Sequence, residues 1–456
     1  MEHLLQNLLS AEDMKKNFDE SKPSFNAQEA LDEANRCLYC YDAPCITACP
    51  TEINIPGFIK KIASGNLKGS AKTIMEANPI GASCARVCPT EELCEGACVL
   101  NHSTKPIMIG DLQRFATDWS IKNEQVLFKA GEKNGKQIAI VGSGPAGLSA
   151  ARELGRLGYT VTIFEAKDEA GGLDTHGIVP FRLPKDISLW EVEQVKSLGV
   201  DIRTNTEVGK DIVAEDLVDN YDAVILAAGM GKVPMLGIEG EDLAGIYDAI
   251  DLVEEVKNGN YPTEFAGKRV AVIGAGNTAI DGATTAVRLG ADSVKILYRR
   301  TEVEMSAYKF EYDFAKQDGV EFRWLVAPKR LIGDGSGHVK QMECVRMELK
   351  EAESDGRKRP IEIKGSEFLM DVDIVIKAIG QTRHHQLIEA FDLDHQGGVV
   401  KVDPVTFKTT EPKVYAAGDV VFAKGIGEAM AVSAAQQGKE TAYAVHQQLK
   451  GSKEKV

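Results

Sequence analysis

Residues 137–166 read QIAIVGSGPAGLSAARELGRLGYTVTIFEA. An apolar run, Ile138 to Val141, leads into Gly142, Gly144 and Gly147, spaced G-x-G-x-x-G. Good helix formers follow, and then a second apolar strand, VTIFE, that closes on Glu165. This pattern is the strand–turn–helix–strand unit of a doubly wound parallel sheet. Its glycines permit a tight turn and bring backbone close to a pyrophosphate seated on the helix N-terminus. Glu165 lies 18 residues after Gly147, where an acid binds a ribose 2′-hydroxyl.

A second unit, residues 267–302, carries Gly274, Gly276 and Ala279 in the G-x-G-x-x-A variant. Its closing strand, VKILY, ends in Arg299 and Arg300 instead of an acid. Guanidinium groups there pair with a 2′-phosphate that a carboxylate would repel. Each charge-assisted hydrogen bond is worth about 1.5–3 kcal/mol, so the pair favours NADPH over NADH. A solvated pair of surface arginines is the alternative. Further on, TTEPKVYAAGD ends at Gly418 and Asp419, an acid able to accept a hydrogen bond from a flavin ribityl chain. The stretch after it, GIGEAMAVSAAQQGKETAYAVHQQL (425–449), predicts a glycine-initiated helix whose dipole stabilises reduced flavin.

These signals predict FAD in the first unit and a nicotinamide cofactor in the second. Because the Gly-Asp motif follows the second unit, the NAD(P) domain (247–379) is expected to interrupt the FAD domain (137–246 and 380–456). YDAVILAAG (221–229) and VDIVIKAIG (372–380) predict paired strands where the chain crosses between the two.

Eight of the nine cysteines fall between Cys37 and Cys98. Cys37, Cys40, Cys45 and Cys49, followed by Pro50, are spaced C-x2-C-x4-C-x3-C-P; Cys84, Cys88, Cys94 and Cys98 are spaced C-x3-C-P-x4-C-x3-C. Such tetrads suit soft metal centres, and a C-x3-C-P ending matches ferredoxin runs whose last cysteine serves the other cluster of a pair. Two [4Fe–4S] clusters are the leading reading; structural zinc and buried structural or disulfide-bonded cysteines are the alternatives. Cys344, alone in a strand-like segment, reads as a small buried hydrophobe. AQEALDEANRCLYC, IPGFIKKIASGN and IGDLQRFATDWSIK predict helices, giving an α-helical iron–sulfur domain over 1–130, and FKAGEKNGK (128–136) a linker.

Composition is that of a globular protein of about three domains: 456 residues, 43% hydrophobic and 27% charged. The net charge of −15 argues against nucleic acid or anionic membrane as partner. No apolar run reaches membrane-spanning length and the first residues do not read as a signal peptide, so a cytoplasmic protein is expected. No Ser-His-Asp set or acid pair is apparent, so the catalysis expected is that of the cofactors.

The order of cysteine tetrads, GSGPAG, GGL with Gly171 and Gly172, GIVPFRLP, IGAGNTAID and YAAGDV resembles the glutamate synthase β-subunit superfamily. NRCLYCYDAPCITACP, CARVCPTEELCEGAC and IGDLQRFATD look most like the FAD/iron–sulfur (PreT-type) subunits of bacterial dihydropyrimidine dehydrogenases. The resemblance implies that Gly172 joins the flavin site. It implies that Cys37, Cys40, Cys45 and Cys98 hold one cluster, and Cys49, Cys88, Cys94 and the side-chain oxygen of Gln113 the other, with Cys84 a non-ligand. Relatives in the glutamate synthase branch carry Glu at the Gln113 position, so Gln points to the pyrimidine branch. The implied role is electron input from NAD(P)H to an FMN/iron–sulfur (PreA-type) partner that interconverts uracil or thymine with the 5,6-dihydro form. A module serving glutamate synthase or a ferredoxin-linked oxidoreductase is one alternative; a flavin reductase carrying a zinc-stabilised interaction domain is another.

Overall fold

The computed structural model describes residues 10–351, 358–423 and 429–451. The 425–428 part of the expected glycine-initiated helix therefore lies outside the described residues, and the helix that follows begins at Ala431.

Two compact units are present. One comprises the N-terminal segment to Ser21, His176–Phe181 and Gly231–Thr382; the other comprises Lys22–Thr175, Arg182–Met230 and Arg383–Val456. The larger unit holds both the cysteine-rich helices and a five-stranded parallel sheet. Its helices are α2 (Ala27–Arg36), α3 (Ile55–Ala63), α4 (Leu67–Ala77), α5 (Gly81–Val87) and α6 (Ile109–Lys122). Asn26 caps α2 in a capping box with Glu29, and Pro56 sits in the first turn of α3, where its missing N–H leaves nothing unpaired. The α2 helix stops at Arg36 rather than running on to Cys40. Cys37 takes extended angles and Tyr39 a left-handed one (φ 50°), a turn that gathers the first cysteines.

The flavin-type sheet has the order β10-β4-β1-β2-β3, with β1 Gln137–Val141, β2 Thr160–Phe164, β3 Asp201–Arg203, β4 Ala223–Leu226 and β10 Val414–Ala416. All its pairings are parallel, and four of the five β1 positions are buried, as a sheet covered on both faces requires. Helices α7 (Pro145–Arg156) and α8 (Lys185–Lys196) belong to this layer, as does the C-terminal α10 (Ala431–Gly451). Gly438 lets α10 cross α7 closely, since a Cβ there would lie 2.1 Å from the Ala146 carbonyl oxygen.

The smaller unit has a second parallel sheet, β5-β9-β6-β7-β8, with β5 Ile246–Asp248, β6 Arg269–Ile273, β7 Ser293–Tyr298, β8 Glu321–Trp324 and β9 Ile374–Lys377. Helix α9 (Asn277–Arg288) follows β6. A four-stranded antiparallel sheet is appended, and its long strand Val339–Lys350 buries Cys344 completely. The chain thus leaves the flavin sheet after β4, builds the second sheet, and returns to supply β10.

Two expectations change here. The segments 221–229 and 372–380 do not pair with each other: β4 lies between β1 and β10, and β9 between β5 and β6. The crossing connections just beyond them pair instead, through Gly231 N–H to Thr382 O at 2.9 Å and Thr382 N–H to Lys232 O at 2.8 Å. Helix α1 (Ala11–Asn17) does not join the cysteine helices. Met14 and Phe18 are buried in the core of the second sheet, in one cluster with Val179 and Phe181, where their apolar side chains leave water.

Candidate functional site

The cysteines surround two separate cavities, and the grouping is not by tetrad. Cys37, Cys40 and Cys45 share the first with Cys98, 53 residues beyond Cys45; Cys49 faces the second with Cys84, Cys88, Cys94 and Gln113. Each cavity, with its mouth, encloses about 380 and 370 Å3 respectively. All nine cysteines are free thiols. Among the described residues no three His, Cys, Asp or Glu side chains converge on a single-ion position. The donor set, thiols lining each cavity with an amide oxygen beside the second, fits iron–sulfur clusters.

Apolar side chains make up the rest of the first cavity, including Leu38, Ile55, Ile59 and Ile109. Burial pushes the Cys45 thiol up to about 11, and the neighbouring Cys37 and Cys98 add to it. Burial also raises Cys37. Burial therefore disfavours the thiolate at Cys37 and Cys45, and a bound cation would oppose that preference.

The second cavity is partly polar. Cys84 and Cys88 sit one turn apart, on α5 and at its C-cap. A hydrogen bond with Cys88, then burial, drives the Cys84 thiol well above the ordinary range. Gln113, on α6 and buried, donates from Nε2 to the Gly81 carbonyl at 2.7 Å and lines the second cavity. Thr51 shares a hydrogen bond of 3.4 Å with the Cys49 sulfur.

The cysteine helices join the flavin layer by charge-to-dipole contacts. The last carbonyls of α4 accept from two cations of that layer: Arg152 donates to Met75 O and Glu76 O, and Lys439 to Ala77 O. The first N–H groups of α5 meet a carboxyl group. Glu191 of α8, 1% exposed, accepts from Ala82 N–H at 2.7 Å, Ser83 N–H at 3.1 Å and the Ser83 hydroxyl. Cations at a helix C-terminus are the favourable polarity. Burial pushes Glu191 up to about 8, against the hydrogen bonds from Ala82 and Ser83 that favour its charged form. None of these residues was singled out from the sequence; each acts across 75 or more positions, where no local spacing marks it.

In the flavin cradle, Gly142 has φ 97° and a Cβ on it would lie 2.5 Å from Ala227 O; Gly147 touches the Gly142 carbonyl. Beside Gly144 there is space, bounded by Gly172 at 3.8 Å, and α7 starts there with no side-chain cap. Its N–H groups are open to a phosphate. Glu165 follows β2 as expected, and its carboxylate also accepts from Ser143 N–H at 3.0 Å and Lys167 N–H at 2.9 Å, so it shapes the glycine loop too. Gly418 (φ 77°) donates to Gln437 Oε1 at 2.8 Å. Burial raises the Asp419 pKa against the pull of Arg383.

The nicotinamide-type cradle repeats the geometry. Gly274 (φ 127°) would place a Cβ 2.1 Å from Ala378 O, Gly276 begins α9 uncapped, and Ala279 is fully buried. Past β7, Arg299 is exposed, while Arg300 is half-buried and donates from Nε to Lys358 O at 3.4 Å. The two arginines are thus unequal, which their adjacency in the sequence did not suggest.

Known families carry the same two parts in the same order. Residues 14–125 match the family described as dihydropyrimidine dehydrogenase domain II, 4Fe-4S cluster, and residues 136–438 match pyridine nucleotide-disulphide oxidoreductase. The chain belongs to the pyridine nucleotide-disulphide oxidoreductase family. Within it the relatives are those of the glutamate synthase β-subunit superfamily. Glutamate synthase [NADPH] small chain of Escherichia coli is 35% identical over 93% of this chain and 92% of its own length. The NAD-dependent dihydropyrimidine dehydrogenase subunit PreT of Escherichia coli is 34% identical over 95% and 98%. The NADP(+)-dependent formate dehydrogenase subunit beta of Moorella thermoacetica is 37% identical over 90%, and the chain spans 60% of its length. The solved structure of Mycobacterium tuberculosis FprA with NADPH shares the fold, with TM-score 0.58, 22% identity, 70% of this chain and 86% of that one. Lactococcus lactis thioredoxin reductase shares it at 0.54, 18%, 69% and 99%. The chain is a flavin and iron–sulfur oxidoreductase dependent on NAD(P)H. Among the described residues no helix is long and apolar enough to cross a membrane.

Proposed function

We propose that this chain is the electron-input subunit of a dihydropyrimidine dehydrogenase, with FAD and two [4Fe–4S] clusters, delivering electrons to an FMN/iron–sulfur partner that interconverts uracil or thymine with the dihydropyrimidine. When bound, FAD takes a hydride from the nicotinamide and releases electrons singly, and the clusters relay them. The rest is the work of this chain's residues. Gly142, Gly144, Gly147, Gly172 and the uncapped start of α7 receive the FAD pyrophosphate, Glu165 the ribose, and Gly418 with Asp419 the ribityl side. Gly274, Gly276 and Ala279 receive the dinucleotide, and Arg299 with Arg300 its 2′-phosphate, so NADPH is the preferred donor. Cys37, Cys40, Cys45 and Cys98 hold one cluster; Cys49, Cys88, Cys94 and Gln113 hold the other.

The observation that carries the pyrimidine reading is Gln113: its amide nitrogen is tied to Gly81 O, so its oxygen is the end offered to the second cavity. Free thiols throughout the chain support a reducing compartment, the cytoplasm. A second reading, electron input to a glutamate synthase large subunit, is favoured by the equally similar small chain. The test is to mix the purified holoprotein with an FMN/iron–sulfur pyrimidine subunit and follow uracil-dependent NADPH oxidation. Uracil-dependent turnover supports the proposal; turnover only with a glutamate synthase large subunit, 2-oxoglutarate and glutamine overturns it in favour of the second reading.

A further inference from the structure

Asn78 is the C-cap of α4, ahead of the turn that leads into α5, and it is fully buried. Its backbone N–H reaches Ile74 O at 2.9 Å, its carbonyl accepts from Gly81 N–H at 3.1 Å, and its Oδ1 accepts from Ile80 N–H at 3.1 Å. The last bond settles which end of the amide is nitrogen. Nδ2, the remaining polar atom, is buried without a hydrogen-bond partner among the described residues, and Asn78 lines the second cavity with Cys49, Cys88, Cys94 and Gln113. Cys84 is the one sulfur within weak hydrogen-bonding reach of the Asn78 amide, and that contact falls outside the geometry of a normal bond.

A buried N–H donor left unpaired is rare in folded proteins, so this one calls for an acceptor in the cavity it lines. Besides the Asn78 oxygen itself, the side-chain acceptors gathered there are soft sulfurs, the Gln113 amide oxygen and the Thr90 hydroxyl, and Nδ2 bonds to none of them with normal geometry. Hydrogen bonds to the sulfurs of an iron–sulfur cluster stabilise its reduced, more negative form and raise its potential. No side chain lining the first cavity carries a nitrogen or oxygen donor; cysteines and apolar residues make it up.

We propose that Asn78 donates a hydrogen bond from Nδ2 to a sulfur of the cluster held in the second cavity, and so raises that cluster's reduction potential. The inference rests on the cluster assignment made above. Asn78 is a tuning and positioning residue here, not a ligand.

The test is a potentiometric titration of the anaerobic holoprotein, followed by electron paramagnetic resonance, with iron analysis alongside. Asn78→Leu removes the donor. Asn78→Asp keeps the acceptor for Ile80 N–H and replaces the donor with an acceptor. Both variants are expected to keep wild-type iron content and the potential of the first cluster. Both are expected to lower the equilibrium constant for reducing the second cluster about tenfold, which for one electron is about 59 mV. If Asn78→Leu does not hold the second cluster, Asn78→Asp decides. An unchanged second potential in Asn78→Asp, an equal shift of both clusters, or loss of the second cluster's iron in both variants overturns the inference. Wild-type protein without iron would instead overturn the cluster assignment on which it rests.

Discussion

The two cysteine cavities are nearly equal in size and differ in what surrounds the sulfur. The first is a ring of four thiols in an apolar wall. The second has three thiols expected to ligate, a fourth hydrogen-bonded to Cys88, two side-chain amides, and a hydroxyl on the Cys49 sulfur. Lys439 of the flavin layer is close enough to Cys49 for their charges to interact. With the ligand sets proposed above, an oxygen ligand in place of a thiolate, donors to sulfur and a nearby cation would all favour the reduced cluster. Two cavities that share out the same two cysteine tetrads would then be unlike redox sites. The difference lies in the residues around the cysteines, and the second site is the one tied to the flavin layer at α4 and α5.

Gly144→Val should have the largest effect away from the cysteines. It fills the space where backbone meets pyrophosphate, so FAD is expected to be lost on gel filtration, while iron stays at both cavities because the cysteine helices have a core of their own. Asp419→Ala should weaken FAD retention more mildly. Loss of iron along with flavin in Gly144→Val would mean that the two cavities are not independent of the flavin cradle.

Arg299→Ala leaves both cavities and the flavin cradle untouched and sharpens the comparison by holding electron output constant. KM for NADPH in flavin reduction is expected to rise roughly tenfold, the size of one lost charge-assisted contact, with KM for NADH unchanged. Arg300→Ala should do less, since Arg300 is partly engaged with Lys358 O. Equal KM changes for both nucleotides would remove the 2′-phosphate role.

The smallest effect concerns Glu191. Its pKa rises from an ordinary value near 4.5 to about 8 on folding, chiefly through burial. Across that window the folded protein keeps a proton that the unfolded chain releases, so this group's contribution to stability falls as pH rises from about 4.5 to about 8, and is level above. Urea unfolding midpoints should show this slope in the wild type and a reduced one in Glu191→Gln. The change should reach the second cavity, through Ser83 and α5, and leave the first unaffected. An identical pH slope in the variant would show that Glu191 is already ionised in its site.

Much of this was legible in the chain because it is local. The glycine turns, their flanking strands and the helix at 109–122 are specified within about 30 residues, and they fold as read. The interruption of the FAD domain followed from the order of motifs alone. The end of α2 did not, because helix-forming residues continue to Cys40 while the cysteine turn demands extended angles at Cys37. The placing of α1 with the second sheet was hidden too, since an amphipathic segment does not name the surface it covers. Spacing could not tell Cys98 with Cys37 from Cys98 with Cys94; only resemblance to a family suggested it. Asn78, Glu191, Arg152 and Lys439 were silent, because a buried polar group shows its role only through partners far along the chain.

The interleaved cysteine sets are the central claim, and iron counting on two single variants tests them most directly. Purified anaerobically, the wild type should hold about eight irons per chain, as two four-iron clusters. Cys98→Ser should retain about half, with the loss confined to the cluster of Cys37, Cys40 and Cys45, and Cys84→Ser should retain all of it. Full iron in Cys98→Ser, or a cluster missing from Cys84→Ser, would contradict the account.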